Sequence, residues 1–188
     1  MSTTDTLGAF RVATKVVGLR VRVGSRIHDI PPRPAADWMA AMCGQEAFPL
    51  IGMMSARAQS EVMVDLLAGR VTIDQLTDIA RRALAAVSGM LWWEADRLIR
   101  GAVAQWRTIG GELTRLGVDP AVRPLGAVLN AIYVIAVRSM TREERATFDS
   151  ELSVPPPDAS HADRLAVTAA SVSALAAVFG PPPSMPPQ

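Results

Sequence analysis

The run LWWEADRLIRGAVAQWRTIGGELTRL, residues 91–116, decides how the rest of the chain is read. Apolar side chains return through it at helical spacing: Trp92, Ala95, Ile99, Ala102, Val103, Trp106, Ile109, Leu113 and Leu116. That is one stripe on one continuous helix, about 91–116. Glu94, Arg97, Arg100 and Arg107 fall largely off the stripe. GVDP at 117–120 stops it, with a capping glycine and then a proline. Gly110 and Gly111 cost helix stability, about 1 kcal/mol each against alanine, and allow close packing or a bend. Trp106 lies mid-stripe on the longest predicted helix. It is expected in the core, where truncation to alanine costs about 3–5 kcal/mol.

The same run holds three of the four tryptophans in a chain with a single tyrosine, Tyr133. Adjacent helical residues point about 100° apart, so Trp92 and Trp93 do not both face the core squarely. One packs inward. The other lies at a boundary or an interface, where tryptophan is a favoured anchor. Trp92 and Trp93 are therefore the candidate partner-binding residues.

Working outward, the next signals are helical too. Thr72 and Gln75 form a capping box, and Ile73, Leu76, Ala80, Ala83, Leu84 and Val87 follow at helical spacing up to Gly89. Asp74 and Asp78 lie near the positive end of that helix dipole. Upstream, PAADWMAAMCG sets Trp38 and Met42 one turn apart, with Gly44 as its cap. A looser stretch with Pro49 and Gly52 leads into SARAQSEVMVDLLAG, whose apolar positions are Val62, Leu66 and Leu67. Downstream, residues 121–140 are almost wholly apolar, and Pro124 places the helix start close to itself. This is predicted to be the central helix. Thr141 and Glu144 make a second capping box that opens TREERATFDSEL, anchored by Phe148 and Leu152.

Residues 9–30 read differently. Val21 and Val23 alternate with Arg20 and Arg22, a strand pattern with one wet face, and Gly18 and Gly24 are turn or bulge points. IPPRP (30–34) ends the strand region. The fold class expected is mainly α: a helical bundle with a short N-terminal β hairpin and a Pro-rich C-terminal tail. The divisions are a flexible N-terminus at 1–8, a β segment at 9–30 and a helical domain at 31–157. A weakly anchored, alanine-rich helix follows at 158–180, with Ser160 and Asp163 available to cap it, and then the tail at 181–188.

Composition narrows the function classes. The chain has 188 residues and a net charge of +1 with mixed signs, which gives no electrostatic argument for nucleic acid. The apolar runs at 125–137 and 165–179 are shorter than the roughly 20 residues that span a bilayer, so no membrane partner is expected. Cys43 is the only cysteine and reads as a small buried apolar residue. The two histidines, His28 and His161, lie in segments that read as peripheral. No phosphate-binding glycine loop, zinc-protease helix or nucleophile elbow occurs. The acidic pairs Glu143–Glu144 and Asp149–Glu151 read as a solvated face. No cofactor, metal or catalytic residue is expected.

One resemblance organises these segments. In order, they are a short β segment, IPPRPAADWMAAM, WWEADRLIRGAVAQW, GGELTRLGVDP, PLGAVLNAIYVI and EERATFDSELSVPPP. The series resembles the tail assembly chaperones of long-tailed actinobacterial phages, small helical proteins encoded before the tape-measure gene. It covers roughly residues 17–157 and rests on Pro31, Trp38, Trp92, Trp93, Trp106, Gly117, Asp119, Pro120, Leu125, Tyr133, Phe148, Asp149 and Pro155. Lys15 is the only lysine, and the arginine dominance agrees with a GC-rich host. The resemblance implies a non-enzymatic protein of the host cytoplasm during phage assembly. It implies binding to the tape-measure protein, recruitment of tail-tube protein, possible self-association and, in many phages, a frameshifted longer form. The alternative is a structural virion protein, a connector or minor tail component with extended terminal arms.

Overall fold

The structure is a computed structural model that describes residues 15–44 and 48–160. The sequence expectations for 1–14, for the helix at 161–179 and for the Pro-rich tail lie outside the described residues. The described residues are mainly helical, with one two-stranded antiparallel hairpin. Of the described residues, those up to Leu152 belong to one compact unit and 153–160 to another.

The hairpin comprises β1 (Leu19–Val23) and β2 (Arg26–Ile30), with Val23 opposite Arg26 and Leu19 opposite Ile30. Its two-residue connection needs a left-handed residue, which Gly24 supplies at φ 58°. The alternation works as read. Val21 and Val23 are buried while Arg20 and Arg22 are exposed. His28 corrects the expectation of a peripheral histidine. It pairs with Val21 on the inner face and is only 5% exposed.

Pro34 ends the extended connection, and α1 (Ala35–Cys43) follows. Its first amides have no side-chain cap. Instead Ala35 N–H donates to the Arg123 carbonyl and Ala36 N–H to the Pro120 carbonyl, each at 2.9 Å. The loop before the central helix thus satisfies the orphan donors of α1. The short α2 (Pro49–Gly52) and α3 (Ala56–Leu67) come next, α3 capped by Ser55. Val62 is fully buried, but Leu67 is 82% exposed, so the inward face of α3 is narrower than its apolar residues suggested.

Both capping boxes form. Thr72 and Gln75 exchange bonds at the start of α4 (Ile73–Ser88), and Thr141 and Glu144 do so at the start of α8 (Arg142–Ser153). Leu76, Ala83, Leu84 and Val87 of α4 are buried, whereas Ile73 in its first turn is exposed.

The largest departure is at residues 91–116. The expected single helix is two: α5 (Trp92–Ala104) and α6 (Trp106–Arg115), divided at Gln105 with φ −116° and ψ 28°. Ala95, Ile99, Ala102, Ile109 and Leu113 face the core as the stripe requires. Val103, Leu116 and Trp106 do not, and Trp106 is 45% exposed. The ring expected in the core, directly after the break at Gln105, therefore lies outside it.

α7 (Leu125–Val137) begins just after Pro124 and packs against α1, α4, α5 and α6. Leu125, Val128, Leu129 and Ile132 on it are at most 2% exposed. It is the central element of the core in residues 10–152, as its uncharged sequence led one to expect. Beyond Leu152, the described residues hold the last residue of α8 and a Pro-rich extension with one turn, in which Ala159 N–H donates to the Pro156 carbonyl at 3.0 Å.

Candidate interaction surface

The two adjacent tryptophans divide as helical geometry requires. Trp93 is buried at 2% exposure and Trp92 is half-buried. Their rings meet edge to face with centroids 5.6 Å apart, a favoured aromatic arrangement. The Arg81 guanidinium of α4 lies 4.1 Å from the centroid of the Trp92 ring. This cation–π contact covers one face of that ring. One turn along α5, Asp96 accepts a bond from Arg100 Nε at 2.8 Å, which raises the Arg100 pKa.

A wider apolar surface opens where α5 and α6 part. A groove of about 540 Å³ is bounded by α5, α6, α7 and α8. Leu98, Ala102, Ile109, Ile132, Ala136 and Phe148 make it largely apolar, and at Gly101 its α5 wall has no side chain. Gln105, at the break, and Ile109, beyond it, both line this space. Trp106 follows Gln105 directly. Its ring lies over Gly110, where an added methyl carbon would come within 3.2 Å of Cε2.

Polar bonds hold the fourth wall, α8, in place. Arg97 Nη1 donates to the Glu151 and Leu152 carbonyls at the end of α8, at 2.5 and 2.8 Å. This bridges the orphan acceptors of one helix to the charge of another. Further back along α8, Tyr133 O–H donates to Asp149 Oδ1 at 2.7 Å, and Arg145 Nη2 donates to the Tyr133 oxygen at 3.3 Å. Burial raises the Tyr133 pKa, and its bond to Asp149 raises it further. Asp149 thus serves α8 as a docking group, while Glu143 and Glu144 stay exposed.

The other residues considered as candidates, Cys43 and His28, lie apart from this groove. Cys43 is half-buried at the core margin, and burial pushes its thiol pKa up. A reactive thiol requires the opposite shift. His28 Nδ1 lies 4.0 Å from Glu61 Oε2. Glu61 is held below the usual carboxylate range first by its bond from Arg57 Nε at 2.9 Å. Among the described residues no group of three or more His, Cys, Asp or Glu side chains is placed to hold a metal ion. No described helix is long and apolar enough to cross a membrane.

Sequence reasoning left open which of the two tryptophans packs inward, and its stripe ran through Trp92, whereas the buried ring is Trp93; it missed the groove and the exposed ring of Trp106. The groove joins residues far apart in sequence, from Leu98 to Leu152, and no local pattern encodes it. No protein-family model, no curated protein and no solved structure matches this chain.

Proposed function

We propose that the protein is a tail assembly chaperone of a long-tailed actinobacterial phage. In this reading it binds the tape-measure protein in the host cytoplasm, keeps it soluble and helps recruit tail-tube subunits around it. The observation that carries the reading is the apolar groove at the α5–α6 break. Apolar grooves between helices receive the apolar face of an amphipathic partner helix. A tape-measure protein is a long helical chain, and it is the partner implied by the residue series from Pro31 to Pro155.

Co-expression with the tape-measure protein of the same phage tests the reading. The soluble yield of the tape measure should rise, and the two proteins should co-elute. Mass spectrometry of purified virions should find the tape measure without this chain. An unchanged tape-measure yield, together with the chain in the finished particle, would replace the chaperone with a structural virion component.

A further inference from the structure

The hairpin leaves one edge of β1 unpaired. β1 bonds to β2 on one side, and among the described residues no other backbone partner reaches Leu19–Val23. A groove of about 470 Å³ lies along this free edge, within the roughly 300–1,000 Å³ range of ligand clefts. Leu19, Arg20, Val21 and Arg22 all line it, and β2 contributes nothing. Successive strand residues point to opposite faces, so a wall built from all four is the edge of the strand rather than one face. The opposite wall is one face of α4, from Gln75 through Ile79, Arg82 and Ala83 to Ala86. Both walls run about 17 Å, at about 3.3 Å per strand residue and 1.5 Å per helical residue.

The direction of the free amides follows from the turn. In a two-residue hairpin the residues flanking the turn form a hydrogen-bonded pair, here Val23 with Arg26. Val23, Val21 and Leu19 therefore direct their amides to β2. Arg20 and Arg22 direct their N–H and C=O groups outward, along the groove.

We propose that the β1–α4 groove takes an extended segment of a partner protein as a third strand, one in which acidic and apolar residues alternate. Charge selects this occupant. Arg20, Arg22 and Arg82 line the groove against a single carboxylate, Asp78; Arg82 pairs with Asp78 and Arg20 with Asp29 of β2, and among the described residues Arg22 makes no ion pair, so it is the guanidinium left to an incoming carboxylate. In an added strand, alternate side chains stand on the outer face beside Arg20 and Arg22, where carboxylates pair favourably across strands. The others turn inward towards Ile79, Ala83 and Ala86, two of which are small enough to leave room. A second copy of β1 would instead set arginine beside arginine, which is destabilising. The slot shares no residue with the α5–α6 groove and does not rest on the chaperone reading.

The test uses ¹⁵N-labelled full-length protein and three short peptides. The first alternates valine with glutamate, the second alternates valine with lysine, and the third is the first with N-methyl groups on the amides of one edge. The glutamate peptide should slow hydrogen exchange at the Arg20 and Arg22 amides by roughly tenfold, the scale of one added backbone bond. The lysine and N-methylated peptides should give little protection. Arg22→Pro removes an outward N–H without touching a β2 bond, a position where an edge strand tolerates proline, and should weaken binding. Arg22→Glu, which keeps the amide, should reverse the preference between glutamate and lysine. Unchanged exchange with the glutamate peptide at millimolar concentration, or equal protection by its N-methylated form, would overturn the proposal. Protection that instead grows with protein concentration alone would assign the edge to a second copy and overturn it equally.

Discussion

Replacing Gly101 with alanine separates what the α5–α6 groove does for stability from the binding proposed for it. Gly101 lies within α5 and is exposed, and no heavy atom stands within 4 Å of where its Cβ would sit. Glycine in a helix interior is about 1 kcal/mol less favourable than alanine. With no crowding to offset that gain, Gly101→Ala should stabilise the protein by about 1 kcal/mol. For a chain of this size that raises the melting temperature by about 2–4 °C. Yet Gly101 also lines the groove. A methyl group there intrudes on any helix packed against it, and overpacking costs about 1–3 kcal/mol, so tape-measure affinity should fall roughly 5- to 150-fold. Gly111→Ala is the matched control. It has the same open surroundings in α6 and does not line the groove, so it should give the same stabilisation with affinity unchanged. Urea titration and a binding isotherm on both variants give the comparison. Equal affinities for the two variants would remove the groove as the binding site. Destabilisation by Gly101→Ala would mean that α5 is not packed as described.

The other expectations concern the tryptophans, the α8 cap and the acidic limb of stability. Trp93→Ala should cost about 3–5 kcal/mol, because its buried ring leaves a cavity, and chemical denaturation should show Trp106→Ala costing clearly less. Trp92→Ser should weaken tape-measure binding more than it weakens the fold if that ring is an interface anchor; parallel loss of both would return it to a purely structural role. Arg97→Ala removes two bonds to the end of α8, and exchange of the α8 amides should accelerate before any global unfolding. Glu144 has its pKa lowered first by the Thr141 backbone N–H and next by the Thr141 side chain. Its contribution is therefore present above the unfolded carboxylate value of about 4.3 and is lost as pH falls through the lower folded value. Glu144→Gln keeps the box without the titration, so its stability should fall less steeply than wild type on acidification.

What the sequence made legible was local. A threonine three residues before a glutamine or glutamate is a complete instruction for a helix start, and both such boxes formed. The alternation around Val21 and Val23 specified a hairpin because a two-residue period leaves one face to bury. The same rule held the missed signal at His28, which stands two residues before the buried Ile30 and so shares its face. Reading the segment as peripheral overlooked that parity. The groove carried no comparable signal. Leu98, Ile132 and Phe148 meet only because α5, α7 and α8 pack together, and each residue is an ordinary core choice in its own helix.

Trp106 shows how a local period misleads when helix direction changes. It stands four residues after Ala102 and three before Ile109, both buried, so one unbroken helix would carry it inward between them. Neither proline nor glycine marks the break. Gln105 ends α5 with its amide directed to the Gly101 and Ala102 carbonyls at 3.2 Å, and its own carbonyl accepts from Thr108 and Ile109 at 3.0 Å. One residue thus closes the first helix and opens the second. Few backbone bonds are forfeited, so propensity had little to register. What the bend changes is tertiary. Ile109 and Leu113 stay against the core, Trp106 is half in water, and Gln105 and Ile109 line the apolar groove. A largely apolar groove lined by Gln105 and Ile109 at this break is suited to receive a partner helix. The same bend that defeats the periodic reading therefore supplies the strongest structural support for a binding role.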